Sequence, residues 1–242
     1  MKLEGQVAIV TGGTRGLGQA IAEAFVEEGA KVVCASRSAP QFSGGPGPLL
    51  SGRVDVAERG SVRALVDDVT AALGRVDIMV ANAAVSHDGK LDELSEEAWA
   101  ATVDVNLTGV FRSITAVVPQ MRRQGGGTII TVSSSMARRP AVGTGAYGVT
   151  KAAVDALTER FGVELGRDGI RVNGIAPGVL DEGMGARLAE HEHVWASYAK
   201  RFAMRRPGKA AEVAQCAVFL ASKDSSYVNG TVFEVTGGLS WG

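Results

Sequence analysis

The sequence predicts an α/β fold in which a parallel sheet of about seven strands is covered by helices on both faces. Short apolar runs such as Val7–Val10, typical of strands buried on both faces, alternate with longer amphipathic segments along the chain. The glycine-rich stretch Thr11–Gly18 joins the first predicted strand to the first predicted helix. Such alternation requires right-handed crossovers between parallel strands, which is the doubly wound, Rossmann-type arrangement.

The predicted elements follow each other without a linker long enough to separate domains, so the 242 residues are expected to form a single domain, 1–242. Strands are predicted at residues 6–11, 31–36, 52–55, 77–81, 127–133, 170–176 and 232–236. The clearest helices are predicted at residues 16–28, 58–73, 96–123, 145–166 and 210–221. Between Arg37 and Leu49, proline and glycine are too frequent for a helix, so this crossover is predicted to be an irregular loop.

The glycine-rich stretch has features of a dinucleotide-binding turn. Gly12 and Gly16 would allow the backbone to approach a pyrophosphate, which would lie at the amino terminus of the first helix. Gly18 would let that helix pack closely on the strand. The spacing is Thr-Gly-x-x-x-Gly-x-Gly, with one residue more between the first two glycines than in Gly-x-Gly-x-x-Gly.

Charge and composition argue against several other classes of protein. The net charge is −1 and no basic run is longer than a pair, so nothing indicates nucleic-acid binding. Cys34 and Cys216 have no Cys or His neighbour at metal-ligand spacing, so we expect no metal site and two buried thiols in a reducing compartment. No apolar signal region or membrane-spanning run is found, which favours a cytoplasmic protein without a membrane partner.

Tyr147 and Lys151 are four residues apart in a predicted helix, so their side chains lie on one face. A free tyrosine has a pKa of about 10, and lowering it to about 7 takes roughly 4 kcal/mol. An ammonium group ~4–5 Å away contributes about 3–4 kcal/mol at an effective dielectric of ~20. The pair would therefore supply a proton donor with a lowered pKa, although Tyr-x-x-x-Lys alone is also an ordinary pattern on an amphipathic helix.

Further motifs accompany this pair in a fixed order. Besides the glycine-rich stretch and the set Ser134, Tyr147 and Lys151, they are Asn82-Ala-Ala84, Asn106-Leu-Thr-Gly109 and Pro177-Gly178. Together the motifs resemble those of the short-chain dehydrogenase/reductase family, in its compact one-domain branch. The resemblance covers essentially the whole chain.

The resemblance implies a role for each catalytic candidate. Ser134 would hydrogen-bond the substrate oxygen, and Tyr147 would donate or accept the proton as hydride passes between the nicotinamide and a carbonyl or carbinol carbon. Lys151 would lower the pKa of the tyrosine and bind the nicotinamide ribose. Asn106, a poor helix residue inside a predicted long helix, would hold a water that links Lys151 to solvent.

The end of the second strand favours NADP(H) over NAD(H). An acidic residue there usually binds the ribose hydroxyls of NAD and repels a 2′-phosphate. Ser36 stands at this position, Arg37 follows it, and Arg15 projects toward the same region from the glycine loop. A 2′-phosphate would therefore meet two guanidinium groups and a hydroxyl, whose charge-assisted bonds are worth about 1.5–3 kcal/mol each.

Other cofactor contacts are implied by the resemblance. Asp55-Val56 is similar to the pair that holds the adenine, and Asn82-Ala-Ala84 would end the fourth strand beside the cofactor, with Ala81 and Ala84 in place of Asn and Gly. The full set of expected cofactor-binding residues is Gly12, Thr14, Arg15, Gly16, Leu17, Gly18, Ser36, Arg37, Asp55, Val56, Asn82, Ala83, Ala84, Tyr147, Lys151, Pro177, Gly178 and Val179.

The chain departs from the family pattern at Glu182, where a threonine commonly helps to hold the nicotinamide carboxamide. Glutamate can accept a hydrogen bond from the amide NH2 but cannot donate one to its carbonyl. The segment that follows, residues 183–206, is expected to be a mobile lid over the substrate. Its apolar residues could face the substrate or the core: Met184, Leu188, Trp195, Tyr198 and Phe202.

Three functions are open at this point. The favoured one is an NADP(H)-dependent carbonyl reductase or alcohol dehydrogenase that acts on a small molecule. Reduction of a 3-oxoacyl thioester on an acyl carrier protein would need a basic docking surface, for which the candidates are Arg122, Arg123, Arg138, Arg139 and Arg167. The alternative from a different class is a non-catalytic, dinucleotide-binding regulatory protein.

The long helices also predict self-association, with a homotetramer as the expected state. Residues 96–123 and 145–166 carry apolar side chains beyond one core stripe, including Val149, Ala153, Ala156 and Phe161. A two-fold interface between such helices would bury the second face. The C-terminal strand and Leu239-Ser-Trp241 could supply a second interface.

Overall fold

The structure is a computed structural model, and it describes residues 1–183 and 199–240. Its strands are β1 (Val7–Thr11), β2 (Lys31–Ser36), β3 (Leu49–Arg53), β4 (Ile78–Ala81), β5 (Gly127–Val132), β6 (Ile170–Pro177) and β7 (Val232–Val235). They form one seven-stranded sheet in the order β3-β2-β1-β4-β5-β6-β7, and every neighbouring pair is parallel. The predicted fold class is confirmed.

Six α-helices lie among the described residues: α1 (Gly16–Glu27), α2 (Ser61–Leu73), α3 (Glu96–Val103), α4 (Gly109–Arg123), α5 (Gly145–Leu165) and α6 (Ala210–Ala221). One π-helical turn, Asp104–Thr108, joins α3 to α4. Short 3₁₀ turns follow β5, α5 and α6 at Ser135–Ala137, Gly166–Asp168 and Lys223–Ser225. None of the helices within the described ranges is both long and apolar enough to cross a membrane.

The sheet separates two apolar cores. Side chains of consecutive strand residues point to opposite faces, so Ile129 and Ile130 of β5 belong to different clusters. Ile130 packs in the cluster that contains Phe25 of α1 and Val218 of α6. Ile129 lies in the other cluster, with residues of α2, α4 and α5. Helices on both faces therefore bury β1 and β4 completely, which explains why Val7–Val10 and Ile78–Ala81 are uninterrupted apolar runs.

The order of the strands places a crevice at the carboxyl edge of the sheet. The chain moves outward from β1 to β2 and β3, and then returns to place β4 on the other side of β1. Because the connections leave β1 and β4 in opposite directions, the loops after these two strands diverge and open a crevice between them. The loops that follow β1, β4 and β5 carry several of the predicted site residues, namely Gly12, Thr14, Arg15, Asn82, Ala83, Ala84 and Ser134, so the fold brings these to one edge.

Three predicted elements differ from the structure. The third strand is Leu49–Arg53 rather than 52–55, because it pairs with β2 from Leu49 onward, opposite Val32; as an edge strand with exposed residues, it gives a weak apolar signal. Helix α2 begins at Ser61 rather than 58, after Gly60 in the left-handed conformation (φ 87°). The predicted helix 96–123 is interrupted by the π-helical turn. Other bounds differ by no more than one residue at an end.

The irregular crossover is confirmed, since residues 37–48 contain neither helix nor strand. Most of the expected lid, with Met184, Leu188, Trp195 and Tyr198, lies outside the described residues. At its far end Phe202 is buried and forms an antiparallel bridge with Leu239. Phe202 and Leu239 therefore face the protein core, and Leu239 cannot contribute to the predicted second interface; Trp241 is outside the described residues.

Candidate active site

Helix α5 begins at the carboxyl edge of the sheet and carries Tyr147 and Lys151 one turn apart. The Lys151 side chain is only 1% exposed, and its Nζ atom donates a hydrogen bond of 2.7 Å to the carbonyl oxygen of Val132, the last residue of β5. The same nitrogen lies 5.5 Å from the centre of the half-buried Tyr147 ring. The helix therefore holds a buried amine beside a phenol at the end of a central strand, as the spacing predicted.

The pKa values of this pair correct one expectation from the sequence. Burial lowers the pKa of Lys151 to about 8, and the Asp155 carboxylate partly opposes that shift. Burial raises the pKa of Tyr147, and a hydrogen bond with Ser134 opposes the rise only in part. The expected net lowering of the tyrosine pKa is therefore wrong for the protein alone. The cost of burying a phenolate exceeds the help from its neighbours, and this cost cannot be read from residue spacing.

Ser134 lies just after β5, at the start of the 3₁₀ turn Ser135–Ala137. Its Oγ atom accepts a hydrogen bond of 3.2 Å from the backbone N–H of Met136, which fixes the serine at the head of the turn. Of the three consecutive serines, Ser133 turns away and donates to the carbonyl oxygen of Lys151, at 3.2 Å. Ser134 is the one of the three whose hydroxyl lowers the pKa of Tyr147.

Asn106 is fully buried in the π-helical turn. Its Oδ1 accepts from the Val85 N–H at 2.8 Å, and its Nδ2 donates to the Val85 carbonyl at 2.9 Å and to Thr150 Oγ1 at 3.2 Å. The side chain thus ties the segment after β4 to the helix that carries Tyr147 and Lys151. These contacts use both N–H groups of the amide and one of the two acceptor positions of its oxygen.

The glycine loop is fastened to the end of β4. Nδ2 of Asn82 donates to the carbonyl oxygens of Thr11 and Gly12, at 2.9 and 3.2 Å. In return the Thr11 hydroxyl oxygen accepts hydrogen bonds from the backbone N–H groups of Asn82 and Ala83, at 3.0 and 3.2 Å. Thr11 was not among the predicted site residues, although its place at the head of the glycine motif is a signal that could have identified it.

Two positions of the loop require glycine, because a larger residue would collide with its neighbours. Gly12 has φ 66°, and a Cβ atom there would lie 2.9 Å from Asn82 Nδ2. A Cβ on Gly18 would strike the Gly12 carbonyl and lie 2.5 Å from the same amide nitrogen. Gly18 therefore allows the helix to close against the glycine loop, rather than against the strand as the sequence suggested.

The amino terminus of α1, at the end of the glycine loop, has no side-chain partner among the described residues. No side chain caps the amino terminus of α1, and no acidic residue lies in its first turn. A Cβ on Gly16 would meet only Gly183 Cα, at 4.0 Å, so the backbone is approachable there. Thr14, Arg15 and Leu17 complete the turn, with Thr14 and Arg15 exposed. Backbone N–H groups at an uncapped helix start favour a phosphate, and this geometry fits the pyrophosphate of a dinucleotide.

Ser36 and Arg37 stand at the carboxyl end of β2, and Arg15 is the residue directly before α1. Ser36 ends β2, with its hydroxyl 3.4 Å from that of Ser38, and Arg37 is exposed directly after it. Within residues 1–183 and 199–240, neither Arg15 nor Arg37 has an ion pair or a side-chain hydrogen bond. Two exposed guanidinium groups without internal partners are suited to binding an anion.

Asp55 and Val56 follow β3. Asp55 Oδ1 accepts the Ala57 N–H at 2.9 Å, which shapes the turn, and its own N–H is held by Ser61 Oγ at 3.0 Å. Val56 is buried, and a Cβ on Gly109 would lie 2.8 Å from Val56 Cγ2. The glycine of the Asn106-to-Gly109 motif therefore provides space for Val56, a contact between motifs that are 50 residues apart in sequence.

The remaining predicted contacts follow β6. Pro177 ends the strand, and Gly178, whose Cβ would lie 3.0 Å from Thr236 Cα, allows it to pass close to the chain beyond β7. Val179 is buried with Phe202 and Leu239. Glu182 is exposed, and its Oε1 accepts the N–H of Ala210 at 3.2 Å, at the start of α6. The carboxylate is thus directed toward a helix amino terminus, where a negative charge is favourable.

One cleft in the described structure lies away from this site. It has a volume of about 800 Å³ and opens at the amino edge of the sheet, beside Gln6, Asp77, Thr128 and Arg171. None of the predicted site residues lines it. No group of His, Cys, Asp or Glu suited to a metal ion occurs in the described part of the chain. The candidate site is therefore assigned from its chemistry and its place at the carboxyl edge.

Comparisons with known proteins agree with this geometry. Residues 12–240 match the family described as enoyl-(acyl carrier protein) reductase. The chain is 37% identical to the 3-oxoacyl-[acyl-carrier-protein] reductase FabG of Thermotoga maritima, over 99% of each chain. It is 36% identical to dehydrogenase/reductase SDR family member 4 of Oryctolagus cuniculus, covering 98% of this chain and 94% of the relative. Among solved structures, the chain is similar to a gluconate 5-dehydrogenase from Burkholderia cenocepacia in complex with NADP and tartrate. The two structures superpose with a TM-score of 0.92 at 32% sequence identity, and the match covers 98% of this chain and 96% of the other.

Proposed function

The chain belongs to the short-chain dehydrogenase/reductase family of oxidoreductases, and from that premise we propose that it is an NADP(H)-dependent carbonyl reductase or alcohol dehydrogenase. The observation that carries the proposal is the placement of Ser134, Tyr147 and buried Lys151 together at the carboxyl edge of the sheet. When bound, the nicotinamide cofactor supplies or receives the hydride. The protein must bind, orient and move a proton.

Tyr147 is the proton donor to the carbonyl oxygen during reduction and the acceptor during oxidation. Its raised pKa keeps the phenol protonated at neutral pH, which suits a general acid. Ser134, which already hydrogen-bonds the tyrosine, orients the substrate oxygen between the two hydroxyl groups. Lys151 keeps most of its charge at neutral pH and stabilises the phenolate that forms when Tyr147 gives up its proton.

The cofactor would be held by backbone groups of the glycine loop, with Asn82 keeping that loop in shape. Ser36, Arg15 and Arg37 would bind a 2′-phosphate, and the exposed, unpaired state of the two arginines within the described residues supports a preference for NADP(H). The NADP in the Burkholderia cenocepacia structure is consistent with this preference. Asp55 and Val56 would lie beside the adenine, and the segment from Pro177 to Val179 beside the nicotinamide.

A second candidate is reduction of a 3-oxoacyl thioester on an acyl carrier protein, which the names of several relatives favour. The proposed basic docking surface gives it weak support. Arg122 pairs with Asp168 at 2.7 Å, and Arg138 and Arg139 both bind Glu234. Of the five candidate arginines, only Arg123 and Arg167 have no ion pair in the described part of the chain. A non-catalytic role is not retained, because the chain belongs to an oxidoreductase family and its serine, tyrosine and lysine are all present.

We also propose a homotetramer in the cytoplasm. Three apolar side chains of α4 and α5 are exposed, Phe111 at 46%, Val149 at 49% and Val163 at 83%, as expected for a covered helix face. Cys34 and Cys216 form no disulfide, which suits a reducing compartment. Light scattering at micromolar protein tests the assembly, and a mass near the 25.0 kDa of one chain would contradict it.

The experiment that tests the function is a substrate panel. NADPH consumption is followed with ketones, diketones, 3-oxoacyl-CoA and 3-oxoacyl thioesters of an acyl carrier protein. Turnover of small ketones or diketones supports the first candidate. A large preference for the carrier-bound thioester over the CoA thioester favours the second, because only the carrier uses a docking surface. Absence of turnover with every carbonyl would contradict both.

A further inference from the structure

Asp155 lies one helical turn beyond Lys151 on α5 and is only 8% exposed. Its Oδ2 is 3.3 Å from Arg138 Nε. Its Oδ1 is buried and has no hydrogen-bond partner among the described residues. A buried carboxylate with one unpaired oxygen costs stability, so its presence next to the candidate active site calls for a functional explanation.

Arg138 connects this carboxylate to the loop that presents Ser134. The arginine follows the 3₁₀ turn that Ser134 begins, and its Nη1 also binds Glu234 Oε1 of β7 at 3.1 Å. Glu234 is held in turn by Arg139, whose Nη1 lies 2.5 Å from Oε2. The chain Asp155–Arg138–Glu234–Arg139 therefore clamps the serine loop between α5 and β7.

Each element packed against Asp155 contributes a charged or polar side chain near its carboxylate. On α5 they are Lys151, one turn before it, and Glu159, one turn after it. From the loop after β5 come Arg138 and the hydroxyl of Ser133, and from β7 comes Glu234, through Arg138. Burial raises the pKa of Asp155, and Ser133 and Arg138 oppose the rise. Asp155 is in turn the group that opposes the loss of the Lys151 proton.

We propose that Asp155 is a positioning residue of the active site: through Arg138 it holds the Ser134 loop against α5, and its charge keeps Lys151 protonated. The positioning of the Ser134 loop follows from the chain of ion pairs. The effect on the charge of Lys151 follows from the burial of Asp155 and Lys151 one helical turn apart. The proposal deepens the proposed function, but its electrostatic part can be measured without turnover.

The test is a direct titration of Lys151 by NMR. The protein is labelled with ¹³C at the lysine ε-carbons, and Lys151→Met identifies the resonance. In the wild type the midpoint is expected near 8. In Asp155→Asn, which keeps the shape of the side chain and removes its charge, the midpoint should fall by roughly one pH unit. Glu159→Gln is the matched control, because it removes a carboxylate of the same helix that is exposed and screened, and its midpoint should not change.

Two further variants complete the design. Asp155→Glu, which restores the charge, should return the midpoint toward the wild-type value, and Asp155→Ser is a second neutral variant should the asparagine fail to fold. If Lys151 titrates at the wild-type midpoint in a folded variant that has a neutral residue at position 155, the proposal is overturned. If the midpoint moves but the wild type reduces no carbonyl, the proposed function fails while this inference stands.

Kinetics test the positioning part. In Asp155→Asn the fall of reductase activity at high pH should begin roughly one pH unit lower, which a purely structural residue would not cause. Arg138→Gln should lower kcat about tenfold by loosening the serine loop, with the Kd for NADPH unchanged. Arg63→Gln, at an exposed arginine of α2 without an ion pair among the described residues, is the control. Wild-type kcat in Arg138→Gln would contradict the clamp.

Discussion

The Nζ atom of Lys151 lies 5.5 Å from the centre of the Tyr147 ring, while its hydrogen bond is made to the carbonyl oxygen of Val132. The lysine is thus anchored by β5, and we propose that it acts on the tyrosine through its charge. Because the amine is buried, that charge interacts in a medium of low polarity, where it has more effect than on the surface. The same burial makes the charge sensitive to pH.

The first prediction is the pH dependence of reduction. The pKa of Lys151 is lowered to about 8, so Lys151 loses its proton, and its support of the phenolate, as the pH rises through that value. Tyr147 remains protonated there, since its own pKa is raised. We therefore expect kcat/KM for reduction to be constant below this point and to decline above it. A profile that is flat up to pH ~10, the usual tyrosine value, would assign no role to the lysine charge.

Replacement of Lys151 by methionine should change the reverse reaction. Oxidation requires the phenolate, so its rate rises with pH as Tyr147 loses its proton. Tyr147 and Lys151 titrate as a coupled pair whose first proton leaves near pH 8 and in part from the phenol, so without the ammonium the apparent pKa of that rise should increase. The measurement is the pH profile of kcat/KM for alcohol oxidation in wild type and variant. An unchanged midpoint would show that the lysine only binds the cofactor.

The coenzyme preference depends on Arg15 and Arg37. We expect NADPH to be preferred over NADH by about 10–1000-fold in kcat/KM, which corresponds to about 1.4–4 kcal/mol of net bonding. Arg37→Ala should weaken NADPH far more than NADH, and the loss should shrink at high salt because the site is exposed. Ser36→Asp should go further, by repelling the phosphate. Arg160→Ala, an exposed arginine of α5, is the control. Equal efficiency with NADH would refute the arginine argument.

Asn82 should couple stability to cofactor binding. Asn82→Ala removes the donor that holds the carbonyls of Thr11 and Gly12, so we expect a loss of about 1–3 kcal/mol in the free energy of unfolding. Because these bonds shape the glycine loop, the Kd for NADPH should rise as well. Chemical denaturation and fluorescence titration measure the two effects. A variant that is destabilised but binds NADPH normally would mean that the loop is shaped by other contacts.

Local motifs made much of this molecule predictable from sequence. The glycine turn, the Tyr147–Lys151 spacing and the apolar strands are determined by residues close in sequence, and the structure contains each of them where expected. The π-helical turn was missed because it coincides with the contact between Asn106 and Val85, which no local pattern reveals. The direction of the Tyr147 pKa was wrong because desolvation depends on what packs around the ring.

Residues that act through tertiary contacts were also missed. Thr11 accepts hydrogen bonds from two backbone N–H groups of the segment after β4. Asp155 meets Arg138, and through it Glu234, only after α5, the serine loop and β7 have come together. The edge strand β3 was misplaced because half-exposed residues carry little apolar signal. Contacts between residues far apart in sequence, in the sheet and in the candidate site, are therefore what this single sequence does not reveal.

Tyr147→Phe tests the central claim most directly, because the ring remains and only the proton donor is removed. The measurement is kcat for reduction of the best carbonyl substrate with NADPH, alongside the Kd for NADPH and the melting temperature. We predict a fall in kcat of about 100- to 1000-fold or more, the usual range for a lost general acid, with folding and NADPH affinity retained. A variant that keeps more than about a tenth of the wild-type kcat would show that Tyr147 is not the acid.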